Sequence, residues 1–167
     1  MHSLGVAVLT ISDTRNHQTD KSGQYLCTAA SEAGHKVVDH QIVKDNIYQI
    51  RATLSAWIVR DDVQAIVTTG GTGFAGRDST PEAVMPLFDK VVEGFGELFR
   101  HISYAEIGVS TIQSRALAGL ANNRVIFCVP GSSGACKTAW EGIIAAQLNS
   151  EHRPCNFVPH LLSNIGQ

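Results

Sequence analysis

The sequence predicts a three-layer α/β sandwich built on one mainly parallel sheet. Three observations carry that reading. Apolar, β-branched runs at 4–12, 65–69 and 124–129 show no polar face, the pattern of strands covered on both sides. Between them stand segments whose apolar residues recur at helical spacing. Strand and helix thus alternate through most of the chain, which implies right-handed crossovers with helices on both faces.

LGVAVLTIS at 4–12 forms the first strand. Residues 22–33 read as a helix, with Gly34 at its C′ position. KVVDHQIV at 36–43 is a more polar strand, placed nearer an edge. Ile47, Ile50, Leu54, Trp57 and Ile58 define an amphipathic helix over 46–60, and Asn46 with Gln49 resembles a capping box. AIVTT at 65–69 is a short third strand. Pro81 fits N1 of a further helix, with Thr80 as its cap. From Val91 the pattern predicts a glycine-broken turn, then a helix over 95–105 and a short helix over 114–121. RVIFCV at 124–129 is a fourth buried strand, ended by Pro130. Gly131, Ser132 and Ser133 lead into a helix carrying Cys136, Trp140, Ile143, Ile144 and Leu148. The tail, 149–167, shows no periodicity. No repeat or linker divides the 167 residues, so they read as one domain.

A net charge of -2 with 13 basic residues excludes the basic footprint of a nucleic-acid binder, though a nucleotide needs only a local positive field. The opening MHSLGVAVLTISD has no basic flank, and its apolar run is too short for a spanning helix, so the expectation is a cytoplasmic protein without a membrane partner. The four cysteines form no C-x-x-C pair and are read as reduced. The histidines show no H-x-x-x-H spacing, which argues against a zinc site built by this chain alone.

In such sheets ligands bind beyond the carboxyl ends of the strands. Three segments should converge there: Ser12-Asp13-Thr14, the loop 70–80, and Gly131-Ser132-Ser133. The loop contains GTGFAG, which fits the dinucleotide fingerprint letter for letter. Its surroundings do not fit. It follows the third strand rather than the first, and Arg77-Asp78-Ser79-Thr80-Pro81 separates Gly76 from the next helix. No Lys-Ser or Lys-Thr closes it as a phosphate-binding Walker loop. What remains is four small residues, Gly70-Gly71-Thr72-Gly73, able to present successive backbone N–H groups to an anion. Arg77 adds a cation and Asp78 a carboxylate suited to Mg²⁺.

T-T-G-G-T-G, Gly76-Arg77-Asp78, Thr80-Pro81-Glu82-Ala83, Gly94-Phe95-Gly96-Glu97 and Pro130-Gly131-Ser132 together resemble the MoaB/Mog family of molybdenum cofactor biosynthesis. The likeness runs over residues 6–148 and is strongest to the shorter, single-domain B-type members, which share the T-A-W-E-x-I-I phrase found here at 138–144. The resemblance implies a compact molybdopterin-binding-like α/β fold that associates as a trimer or hexamer. It also implies adenylyl transfer: the terminal phosphate of molybdopterin attacks the α-phosphate of ATP, with Mg²⁺ present, and pyrophosphate leaves. A carrier or assembly partner that binds molybdopterin with little catalysis is the alternative.

Phosphoryl chemistry of this kind needs charge neutralisation and alignment. Asp78 and Asp45 are the expected catalytic pair and Mg²⁺ ligands. An Asx turn competes for Asp78, and a dipole-favoured acid before a helix competes for Asp45. B-type members do not all keep an aspartate at this point, so Asp45 favours catalysis. Expected ligand contacts are Ser12, Asp13, Gly70, Gly71, Thr72, Gly73, Thr80, Glu97, Ser132 and Ser133. Ordinary loop or capping roles compete for Ser12, Asp13 and the two late serines. Ser133-Gly134 lacks a second proline that the family often carries after P-G. Lys44, Arg115 and Lys137 are further candidates for phosphate contact, with solvated charge as their default.

Overall fold

The computed structural model describes residues 1–162. Its strands are β1 (Gly5–Ile11), β2 (Lys36–Val43), β3 (Ala65–Thr69), β4 (Lys90–Val91), β5 (Leu117–Ala121) and β6 (Arg124–Val129). They form one sheet in the order β2-β1-β3-β6-β5-β4. β2, β1, β3 and β6 run parallel; β5 pairs antiparallel with β6, and β4 with β5. The helices are α1 (Lys21–Glu32), α2 (Ile47–Ile58), α3 (Thr80–Val84), α4 (Glu93–Ile107), α5 (Ser133–Ala139), α6 (Ala145–Gln147) and α7 (Val158–Leu162), with a π-helical turn (Trp140–Ile144) joining α5 to α6.

Every residue of β1 is buried because alternate side chains feed two different cores. Val6 and Val8 point to the side of α1, α4 and α5, where they meet Leu26, Phe99 and Ile144. Ala7, Leu9 and Ile11 point to the side of α2 and α3, where Ile50, Leu54, Trp57 and Val84 close over them. This is the three-layer arrangement that the uninterrupted apolar runs predict. β2 is half-exposed and lies at the sheet edge, as its polarity predicts. Asn46 caps α2 by accepting from the N–H groups of Tyr48 and Gln49.

The sheet departs from expectation at its far end. Residues 117–121, expected as part of a short helix, are strand β5. Asn122 and Asn123 both adopt positive φ, 47° and 59°, and close a two-residue hairpin onto β6. Leucine and alanine give LAGLA a helix-like local preference, but a side chain at Gly119 would begin 2.3 Å from the Phe88 ring. Packing decides the matter, not propensity. The glycine-broken turn is also corrected: Gly94 and Gly96 lie inside α4, which starts at Glu93. Thr80 does not cap α3; Ser79 occupies that position without a side-chain cap bond. The tail holds α7, five residues and too short to show a period, whose Val158 and Leu161 join the α1/α4/α5 core. The rest of the tail, 163–167, lies outside the described residues.

The order β2-β1-β3 fixes where a ligand can sit. From β1 the chain steps outward to β2, then crosses back to β3 on the other side of β1. The carboxyl ends of β1, β3 and β6 therefore lie side by side at a topological switch point. Backbone bonds hold the loops leaving them: Ser12 N–H donates to the Val43 carbonyl at 2.9 Å, and Gly70 N–H to Val129 at 3.0 Å.

Candidate active site

A cleft of about 600 Å³ opens beyond these strand ends, within the size range of small-ligand pockets. The loop after β3 makes its floor. Gly70 and Gly71 turn the chain at φ 109° and 71°. The Thr80 hydroxyl, fully buried, donates to the Gly70 carbonyl at 2.8 Å and ties the loop back on itself. Among the described residues the N–H groups of Gly71, Thr72 and Gly73 donate to no backbone or side-chain acceptor. Three successive amides without a protein acceptor are available to an anion.

Three carboxylates approach this floor. Asp13, just after β1, accepts two bonds from the Arg77 guanidinium, both 2.9 Å, and one from the Asp45 N–H at 3.1 Å. The Arg77 bonds hold Asp13 below the ordinary carboxylate range. Asp45, after β2, is the opposite case. Its Oδ1 is buried without a hydrogen-bond partner. Burial, then the charges of Asp13 and Asp78, push its pKa up, and Arg77 opposes them only partly. Asp78 accepts from the Ala75 N–H at 2.9 Å and lines the cleft; the Asx turn expected as its competing role does not form, because the Thr80 N–H donates to the Gly71 carbonyl instead.

The other side of the cleft has different chemistry. Arg15 donates to the Gly131 carbonyl at 2.9 Å and to the Ser22 hydroxyl at 3.1 Å, and Ser22 donates to the same carbonyl at 2.7 Å. It is the one cationic side chain among the cleft-lining described residues. Ser132 caps α5 by accepting from the Ala135 N–H at 3.1 Å. Phe99, Ser103 and Ile107, spaced by four on α4, form a mainly apolar wall with Gln113 and Ser114 beyond it. The Ser114 hydroxyl, like Asp45 Oδ1, is buried without a partner.

A molybdopterin-binding domain is the comparison this geometry meets. Residues 7–150 match the family described as "Probable molybdopterin binding domain". The chain belongs to that family. It is 60% identical over 156 residues to molybdenum cofactor biosynthesis protein B of Escherichia coli (strain K12), covering 93% of this chain and 92% of that one. Its identity to the protein B of Bacillus cereus is 49% over 142 residues, 84% of each chain. A crystal structure of a molybdenum cofactor biosynthesis protein B superposes with a TM-score of 0.86 at 47% identity, covering 88% of this chain and 92% of the other. The tungsten cofactor synthesizing protein MoaB from Pyrococcus furiosus gives 0.77 at 36%, covering 86% and 91%.

Within this molybdenum cofactor biosynthesis domain, the sequence-predicted residues divide into two groups. Ser12, Asp13, Asp45, Gly70, Gly71, Thr72, Gly73, Asp78 and Ser132 all line the cleft. Thr80, Glu97 and Ser133 do not. Thr80 spends its hydroxyl inside the loop. Glu97 is exposed, two helical positions from Phe95 and Phe99 and hence on the opposite side of α4 from those buried rings. Arg77, expected as a cation for the ligand, is engaged by Asp13. Arg115 points its donors at carbonyls of the glycine loop rather than into the cleft. Sequence reasoning missed Arg15 and the α4 wall; the four-residue spacing of Phe99, Ser103 and Ile107 was the available signal.

Proposed function

We propose that the protein adenylylates molybdopterin: the pterin's terminal phosphate attacks the α-phosphate of ATP, a new P–O–P bond forms, and pyrophosphate leaves. The observation that carries this reading is the buried, unpartnered Asp45 Oδ1 beside Asp78 and beside three unpaired loop amides. A carboxylate oxygen held out of water near two other carboxylates is costly unless a cation joins it.

That donor set fits Mg²⁺. Mg²⁺ usually takes one or two carboxylates and fills its remaining positions with water and phosphate oxygens. Asp13 is taken by Arg77, so Asp45 and Asp78 are the residues that would hold it. Mg²⁺ bound there supplies neutralisation of phosphate charge. The chain's own groups do the rest. The amides of Gly71, Thr72 and Gly73 bind a phosphate by hydrogen bonding. Arg15 offers the opposite charge at the other end of the cleft. Buried Phe99 excludes water from one side, and Gln113 and Ser114 offer polar atoms to the edge of a flat heterocycle. We also propose a cytoplasmic homo-oligomer, trimer or hexamer, supported by exposed Leu98, Tyr104, Ile107, Val109 and Ile112 along α4 and the turn after it. No helix among the described residues is long and apolar enough to cross a membrane.

The test is to incubate the protein with molybdopterin, Mg²⁺ and ATP. AMP joined to the pterin, with pyrophosphate released in equal amount, is the expected result. Tight pterin binding without pyrophosphate release would overturn the enzyme reading and leave the carrier.

A further inference from the structure

We propose that Arg115 is the positioning residue of the phosphate loop, fixing the Thr72, Gly73 and Asp78 carbonyls so that the Gly73 N–H and the Asp78 segment keep their places at the cleft; this rests on the nucleotide reading of that loop. The residue gives almost its whole donor set to one segment. Its backbone N–H donates to the Thr72 carbonyl at 2.9 Å. Its Nε and Nη2 both donate to the Gly73 carbonyl, at 3.0 and 2.7 Å. Nη2 also reaches the Asp78 carbonyl at 3.2 Å, and Nη1 donates to the Glu82 carboxylate. Phe74 lies against the guanidinium face, 5.0 Å from ring centroid to Cζ.

The consequence follows from peptide planarity. Within one peptide unit the C=O and N–H point in opposite directions. The Arg115 backbone N–H draws the Thr72 carbonyl toward it and so turns the Gly73 N–H away, while the side chain fixes the Gly73 carbonyl and stops that peptide from rotating. The same contact ties down the main chain at Asp78, whose carboxylate lines the cleft. A lysine could not reproduce this, because one ammonium cannot bridge two carbonyls and a carboxylate in a planar fork. Glycines supply a loop that can take the required shape; Arg115, from a separate segment before β5, selects that shape.

The measurement is affinity for inorganic triphosphate and for Mg-ATP, by calorimetry, alongside adenylyl-transfer kinetics on the full chain. Arg115→Lys is expected to weaken both affinities about tenfold, as the loss of a charge-assisted bond implies. The KM for ATP should rise while the KM for molybdopterin stays unchanged, a split that general loosening of the fold would not produce. Glu82→Gln, at an exposed position, is the second variant: it frees one arm of the fork and should raise the KM for ATP about threefold without lowering the melting temperature. Unchanged triphosphate affinity in a folded Arg115→Lys protein overturns the proposal. If that variant does not fold, an unchanged KM for ATP in Glu82→Gln overturns it. Wild-type protein that binds triphosphate but makes no adenylylated pterin overturns the functional reading alone; wild-type protein that binds no triphosphate overturns both.

Discussion

Replacing Gly71 by alanine tests whether the loop's shape is as constrained as its contacts imply. The residue sits at φ +71°, where a side chain is strained whatever space is available. For alanine that strain costs about 1–2 kcal/mol. The new Cβ would also begin 2.3 Å from the Thr80 hydroxyl and 3.0 Å from Asp45 Oδ1. Thr80 is fully buried and bonded to the Gly70 carbonyl, so moving its hydroxyl away breaks that bond, at a net cost of about 1 kcal/mol. The sum, about 2–3 kcal/mol, corresponds to a fall in melting temperature of about 4–12 °C for a chain of this size. Asp45 must shift as well, so Mg-ATP affinity should fall at temperatures where the variant is still fully folded. Thermal melting followed by calorimetry measures both. A melting temperature within about 2 °C of wild type, with nucleotide affinity intact, would refute the reasoning.

Asp45→Asn should raise stability at neutral pH, because burial and the neighbouring carboxylates lift the Asp45 pKa above its unfolded value. With a raised folded pKa, the ionised group costs stability once the pH exceeds the unfolded carboxylate value. The melting-temperature gain should therefore shrink as the medium is acidified toward that range, and a gain independent of pH would contradict the cause assigned. A thiol-reactive dye should label one site quickly, exposed Cys155, since burial pushes Cys27 and Cys136 up to about 11 and Cys128 to about 12; a second fast site would contradict this. Light scattering should give a trimer or hexamer, and aspartates at Val109 and Ile112, which are 73% and 70% exposed in one chain, should dissociate it. A wild-type monomer at micromolar concentration would remove the assembly proposal.

The parallel half of the sheet is legible because burial on both faces leaves a continuous apolar run, as in VIFCV, that no surface element would carry. The antiparallel end is not. β4 has two residues, β5 is a Leu-Ala-Gly-Leu-Ala run with no β-branched residue, and their place depends on Phe88 packing over Gly119. The same division holds in the cleft. Gly70, Gly71, Gly73 and Asp78 stand in one contiguous motif, so the sequence points to them directly. Arg77 and Asp13 are 64 positions apart, and their pairing is set by strand order. Glu97 belongs to a conspicuous motif, yet helical phase turns it outward while Phe99, two positions on, faces in. Arg115 reads as an ordinary surface charge until β5 brings the segment before it against the loop.

Asp45 and Asp78 are proposed to serve adenylyl transfer and not only pterin binding. The most direct test is adenylyl-molybdopterin formation by Asp78→Asn at saturating substrates, with molybdopterin affinity measured separately. The amide keeps the size of the side chain but removes the charge that would hold Mg²⁺. Turnover should fall about 10²–10³-fold with pterin affinity nearly unchanged. Wild-type turnover in that variant would contradict the proposed role.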